Sequence, residues 1–91
     1  MQLTLFTDYA LRTLVFLALQ PDQQLSTITE VADRFSISRN HVVKIVHQLG
    51  MKGYIDTIRG KHGGIRLARS AQDINLGNLI ADMENVSCLL D

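Results

Sequence analysis

Ser38-Arg39-Asn40-His41-Val42-Val43-Lys44-Ile45-Val46-His47-Gln48-Leu49 is the stretch whose reading decides the fold. Ser38 is a good N-cap, because a serine oxygen can accept from an amide that the first helical turn leaves free. Val42, Ile45, Val46 and Leu49 then fall at i, i+3, i+4 and i+7, the spacing of one buried helical stripe. Gly50 and Gly53 are expected to punctuate the end. Just upstream, Thr27-Ile28-Thr29-Glu30 has the spacing of a capping box, and Ile28, Val31, Ala32 and Phe35 recur at helical intervals. Ser36-Ile37 is left as the turn. Two short helices joined tightly, the second with polar residues opposite a clean apolar stripe, form a helix-turn-helix pattern.

Downstream, Tyr54-Ile55-Asp56-Thr57-Ile58 and Ile65-Arg66-Leu67 are short β-rich runs separated by Arg59-Gly60-Lys61-His62-Gly63-Gly64. That arrangement reads as a hairpin whose glycines allow positive φ in the turn. A basic, glycine-rich hairpin directly after such a helix is a wing. The fold class expected is therefore mainly α with a small β-hairpin, a winged helix-turn-helix.

Outward from this centre, a first helix is expected from about Thr7 to Leu19, ended by Pro21-Asp22, with Asp8 suited to the positive end of the helix dipole. Its apolar residues cover nearly the whole circumference, a pattern normally buried on both sides, so a second subunit or a further helix is expected to cover it. A last helix is expected from Leu76 to about Glu84. Residues 1–85 then form the winged-helix domain, and 86–91 are expected to start a cluster-binding and dimerisation region that the chain lacks. Met1-Gln2-Leu3-Thr4 has no basic start, and the apolar run Leu14 to Leu19 is far shorter than the roughly 20 residues a membrane span needs. No membrane partner and a cytoplasmic location are the expectation.

The 91 residues carry no formal net charge, yet the distribution is uneven. From Arg34 to Arg69 there are eight basic residues against Asp56 alone, a local charge of +7, while the remainder sets Arg12 against eight acids. All three histidines lie in the basic segment. This is either the electrostatic footprint of a nucleic-acid binder or a solvated charged surface beside acidic termini.

On the third helix, about 100° per residue sets Arg39, Asn40, Val43, Lys44 and His47 opposite the core stripe. Arginine reads guanine and asparagine reads adenine by bidentate pairing, while Lys44 and the backbone donors near Ser38 suit phosphates. Candidate DNA-binding residues are Ser38, Arg39, Asn40, His41, Val43, Lys44 and His47, with Arg59, Gly60, Lys61 and His62 at the wing. Arg59 is assigned to a narrow minor groove, the competing reading being a tip kept soluble by charge. The histidines are not spaced as a metal set. Cys88 stands alone, which excludes an internal disulfide, and among apolar neighbours it is expected to be a packed thiol. No catalytic triad, phosphate-binding loop or dinucleotide-binding glycine pattern is present, so an enzyme is not expected.

Leu3-Thr4-Leu5-Phe6-Thr7-Asp8-Tyr9-Ala10-Leu11-Arg12, Ile37-Ser38-Arg39-Asn40-His41 and Arg59-Gly60-Lys61-His62-Gly63-Gly64-Ile65-Arg66-Leu67 closely resemble the nitric-oxide-sensing repressors. Those belong to the winged-helix regulator family that includes the iron–sulfur regulator IscR. The resemblance covers essentially the whole chain, with three motifs in order. It implies a homodimer on a partly palindromic DNA operator that represses genes for nitric oxide detoxification. It also implies an iron–sulfur cluster in the full-length protein, held by three cysteines in a loop beginning about Asp91, with none expected on these 91 residues. Cys88 falls slightly too early to match the first ligand. An aspartate matching Asp8 can supply a further ligand from the other subunit, against the simpler reading of Asp8 as a helix-dipole carboxylate. Loss of the cluster to nitric oxide would change the spacing of the two recognition helices and release DNA. The alternatives are a winged-helix protein-interaction module and a cluster-free regulator sensing another signal.

Overall fold

A computed structural model describes residues 3–21 and 24–90. Met1, Gln2, Asp22, Gln23 and Asp91 lie outside the described residues, so Asp22 as part of the first helix's stop and Asp91 as the start of a cluster loop are left where the sequence put them. The chain runs α1 (Leu5–Ala18), α2 (Ile28–Phe35), α3 (Arg39–Met51), β1 (Ile55–Ile58), β2 (Gly64–Leu67), a single 3-10 turn (Ala71–Asp73) and α4 (Leu76–Leu90).

Helix α1 begins two residues earlier than the sequence suggested. Thr4 is its N-cap, its hydroxyl accepting from the Thr7 N–H at 3.2 Å. Thr7, Ala10, Thr13, Leu14 and Leu17 are buried, and the Thr13 hydroxyl donates back to the Tyr9 carbonyl at 2.8 Å, which lets a polar residue sit in the core. Within this chain one side of α1 is buried and the other is left open, as expected of a helix whose second cover is not part of these residues. Leu5, Val15 and Leu19 stay exposed, Leu19 by 77%, because α4, α3 and β2 all pack on the other side.

Helix α2 starts with the expected capping box: Thr27 Oγ1 accepts from the Glu30 N–H at 3.0 Å, and Glu30 Oε1 accepts from the Thr27 N–H at 3.2 Å. Ser36 closes it in the left-handed region at φ 57, and the Ile37 N–H returns to the Ala32 carbonyl at 3.0 Å. That left-handed residue turns the chain sharply enough for Ser38 to cap α3 two residues later, its Oγ accepting from His41 N–H at 3.1 Å. Val42, Ile45, Val46 and Leu49 of α3 are buried as the spacing predicted. Gly50, however, lies inside the helix, and the stop falls to Gly53 at φ 84.

Strands β1 and β2 pair antiparallel with Ile55 opposite Leu67 and Ile58 opposite Gly64. Between them Gly60 takes the positive φ the turn needs, at 107°. Gly63 and Gly64 serve closeness instead, since a Cβ on Gly64 would lie 2.6 Å from the Ser26 carbonyl oxygen. Ser26 bridges Ile65 through two backbone bonds of 2.9 and 2.7 Å, so β2 has a partner on each side at that residue.

Helix α4 continues past the expected end near Glu84 to Leu90. Asn75 caps it through a 2.9 Å bond from the Asn78 N–H, and Leu79, Met83 and Val86 extend one buried stripe. Burial of Val86 outweighs the weak helix propensity of Asn85, Ser87 and Cys88. Cys88 lies on the side opposite that stripe and is exposed, which corrects the expectation of a packed thiol.

One carboxylate ties α4 to the start of α1. Glu84 Oε2 accepts from the Thr4 hydroxyl at 2.6 Å, from the Thr7 hydroxyl, and from the Thr4 N–H at 3.4 Å. The Thr4 and then the Thr7 hydroxyl hold the Glu84 carboxyl below the ordinary glutamate range, against a smaller desolvation effect. A depressed carboxyl stabilises the fold above its unfolded value, and that stabilisation disappears as pH falls through the folded value. Glu84→Gln is therefore expected to lower stability at neutral pH and to flatten the acid limb of the stability curve. Denaturant titrations at several pH values test this, and parallel acid limbs in the two proteins would refute it.

Candidate nucleic-acid interface

The capping of α3 by Ser38 leaves Arg39 and Asn40 exposed in its first turn, and Val43, Lys44 and His47 are exposed further along. Gln48 and Met51, each four residues beyond Lys44 and His47, continue this outer face. Their helical spacing was a usable signal that the sequence reading passed over. Arg39 is not free: its Nε donates to Thr29 Oγ1 of α2 at 2.9 Å, which fixes the guanidinium at the mouth of the helix pair. Thr29 carries no pattern that would have revealed it.

His41 stands apart from the other candidates. It is half-buried, its ring edge-on to Tyr9 of α1 with centroids 5.4 Å apart. Its place on the flank of α3 turns the imidazole toward α1 and away from the outer face.

At the wing, Arg59, Gly60, Lys61 and His62 are all exposed. A groove of about 330 Å³ lies between α3 and β1, lined by His47, Met51, Asp56 and Thr57 among others, so the C-terminal half of α3 and the strand leading into the wing face a common channel. Among the described residues the one ion pair is Arg12 with Asp8, at 3.0 Å, so Lys44, Arg59 and Lys61 keep their charge uncompensated by any carboxylate. A polyanion is the partner that such exposed positive charge attracts.

Arg69 belongs to the basic segment but is committed elsewhere. Its Nε donates to the Gly53 carbonyl at 3.2 Å and Nη2 to the Lys52 carbonyl at 3.4 Å, satisfying the C-terminal end of α3. The same guanidinium lies 4.6 Å from the centroid of the Tyr54 ring, whose hydroxyl donates to Asp82 Oδ2 of α4 at 2.9 Å. Burial, then the Asp82 bond, raises the Tyr54 pKa above the ordinary phenol value. The joint between α3 and the wing is thus held from three sides. Tyr54→Phe keeps the stacked ring and loses the bond to α4, with an expected cost of about 0.5–1.5 kcal/mol in a chemical unfolding curve. An unchanged midpoint would show that water replaces Asp82 without loss.

Asp8, the candidate metal ligand, accepts from Arg12 Nε one turn along α1, with both side chains about half exposed. Such a pair contributes about 0.3–0.5 kcal/mol. No group of three or more histidine, cysteine, aspartate or glutamate side chains placed to hold a metal occurs among the described residues.

The Rrf2 family model, described as an iron-dependent transcriptional regulator, matches residues 3–91. The chain belongs to the Rrf2 family. Within Rrf2, it is 51% identical over 85 residues to the HTH-type transcriptional regulator NsrR of Shouchella clausii (strain KSM-K16). That stretch is 93% of this chain and 57% of the relative, so the chain spans under two thirds of that protein's length. Among solved structures, CymR (YrzC), the global cysteine regulator of B. subtilis, superposes with a TM-score of 0.86 at 23% identity, over 92% of this chain and 65% of that one. The oxidized form of Staphylococcus aureus CymR gives 0.84 at 26%, over 93% and 68%. T. potens IscR gives 0.83 at 24%, over 92% and 61%. At such identities the first and third of these show the fold, a winged helix-turn-helix, as the sequence led one to expect. Rrf2 is a family of transcription regulators, which bears out the reading of a chain that is not an enzyme.

Proposed function

We propose that this chain binds double-stranded DNA as a sequence-specific repressor, with α3 in the major groove and the Arg59–His62 tip at the neighbouring minor groove. The observation that carries the reading is the outer face of α3 joined by a common channel to the wing strand, with Lys44, Arg59 and Lys61 exposed and outside ion pairs among the described residues. Ser38 and Asn40 complete a set that can position on phosphates and read base edges. Two such surfaces in a homodimer suit a partly palindromic operator with half-sites about 34–36 Å apart, and the uncovered Leu5, Val15 and Leu19 of α1 leave apolar surface available for pairing. The DNA-reading unit in this proposal, expected to be residues 1–85, takes in the rest of α4 as well, because the helix runs unbroken to Leu90 and buries Val86 in the same core. A regulator that reads DNA is placed in the cytoplasm by this proposal; among the described residues no helix is long and apolar enough to cross a membrane.

Duplex selection from a random pool, followed by binding measurements against salt, tests this. The affinity for the selected duplex should exceed that for a scrambled one, and log K should fall with log salt by about 0.9 per phosphate neutralised. A chain that serves as a protein-interaction module would not distinguish the two duplexes.

The sensing mode implied by the three sequence motifs is a nitric oxide response through an iron–sulfur cluster, and the iron-dependent description of the family and the identity with NsrR support its proposal. The residues in hand do not make the site. Cys88 is the sole thiol and is exposed, and Asp8 is engaged by Arg12. The cluster reading therefore requires cysteines additional to these 91 residues. Iron and sulfide analysis of a longer chain, with nitric oxide titration, separates it from a cluster-free regulator.

A further inference from the structure

The reading face of α3 is polar except at one place. Val43 is 47% exposed, and with Lys44, His47 and Gln48 it encloses a depression of about 310 Å³ whose walls are almost wholly carbon. The geometry is simple. Val43 with His47 and Lys44 with Gln48 are two neighbouring i, i+4 rows, and the furrow between such rows is the hole into which packed helices accept a knob. Val43 contributes a short apolar side chain to the lining, and Lys44 and Gln48 contribute the methylenes of their stems. A partner helix is not what this face invites, because Lys44, which lines the depression, is exposed and has no carboxylate partner among the described residues.

We infer that this depression seats the C5-methyl group of a thymine, making Val43 a specificity-determining residue of the recognition helix. The inference rests on the DNA reading proposed above. The thymine methyl is the apolar group that standard base pairs present in the major groove, so an apolar hole on a major-groove helix has one occupant of matching chemistry. Lys44 and His47, which line the same depression, carry nitrogen donors that on this inference meet phosphates or purine edges beside the methyl and set its register.

Replacing thymines by deoxyuridine, one position at a time in a duplex selected from a random pool, removes the methyl and changes nothing else. At one position per half-site the affinity of the unaltered protein should fall about four-fold, the loss equivalent to leaving one methyl group unburied. In Val43→Ala that position should bind thymine and deoxyuridine alike, while the remaining salt dependence stays as before. Circular dichroism of Val43→Ala should match the parent, since the side chain takes no part in the core. The inference is overturned if the unmodified duplex binds tightly and no deoxyuridine position matters, or if the deoxyuridine penalty survives in Val43→Ala. Failure of the unmodified duplex to bind would instead remove the DNA reading itself, and this inference with it.

Discussion

Gly63→Ala is expected to destabilise the chain by roughly 2–4 kcal/mol and to weaken DNA binding with it. A Cβ at this position would collide with the Ile58 carbonyl oxygen and stand 2.9 Å from the carbon that bears it. Both atoms are backbone, at the end of β1 where Ile58 pairs with Gly64, so the clash cannot be relieved by turning a side chain. The hairpin must open. Gly50→Ala is the matched control: its Cβ would meet nothing nearer than the Ile55 carbonyl oxygen at 3.8 Å, within a helix that alanine favours over glycine by about 0.5–1 kcal/mol. Chemical denaturation should move the two midpoints in opposite directions. Equal shifts would mean that the wing is not held in the register described.

Arg59→Ala is expected to lower operator affinity by about 1–3 kcal/mol, the range for loss of a specific arginine contact, and the loss should depend on the sequence flanking each half-site. Arg59 is exposed, has no partner among the described residues, and stands where β1 ends. Lys61→Ala should behave differently. A lysine at the tip meets phosphates, so all duplexes should weaken alike and the salt slope should drop by about one. A loss of equal size on A/T-rich and G/C-rich flanks would assign Arg59 to the backbone. Unchanged affinity in both Arg39→Ala and Arg59→Ala would remove the site assignment.

The parts of the fold legible in the sequence are those whose signals are local. The capping box at Thr27, the stripe from Val42 to Leu49 and the glycine-rich turn each lie within a dozen residues, and each formed as read. The contacts that lock these parts together join one element to another and leave no periodic trace. Thr29 reaches Arg39 across 10 residues, Tyr54 reaches Asp82 across 28, and Thr4 reaches Glu84 across 80. The end of α4 was misplaced for a related reason: its last turns are held by burial of Val86, which the polar Asn85 and Ser87 conceal. At the candidate site the sum of charge could be read directly, but not its division. Arg69 was counted with the rest although it caps α3, and His41 was counted although Tyr9 claims its ring.

The bridge between Ser26 and Ile65 divides the hairpin into two mechanical regimes. At the bridge itself three backbones lie side by side, so the Ile65 amide should exchange with solvent slowly and the register of the ribbon is pinned at that residue. Above it, the tip from Arg59 to His62 has no third strand beside it and is closed only by the Gly63 N–H on the Gly60 carbonyl at 3.0 Å, so its amides should exchange sooner than that of Ile65.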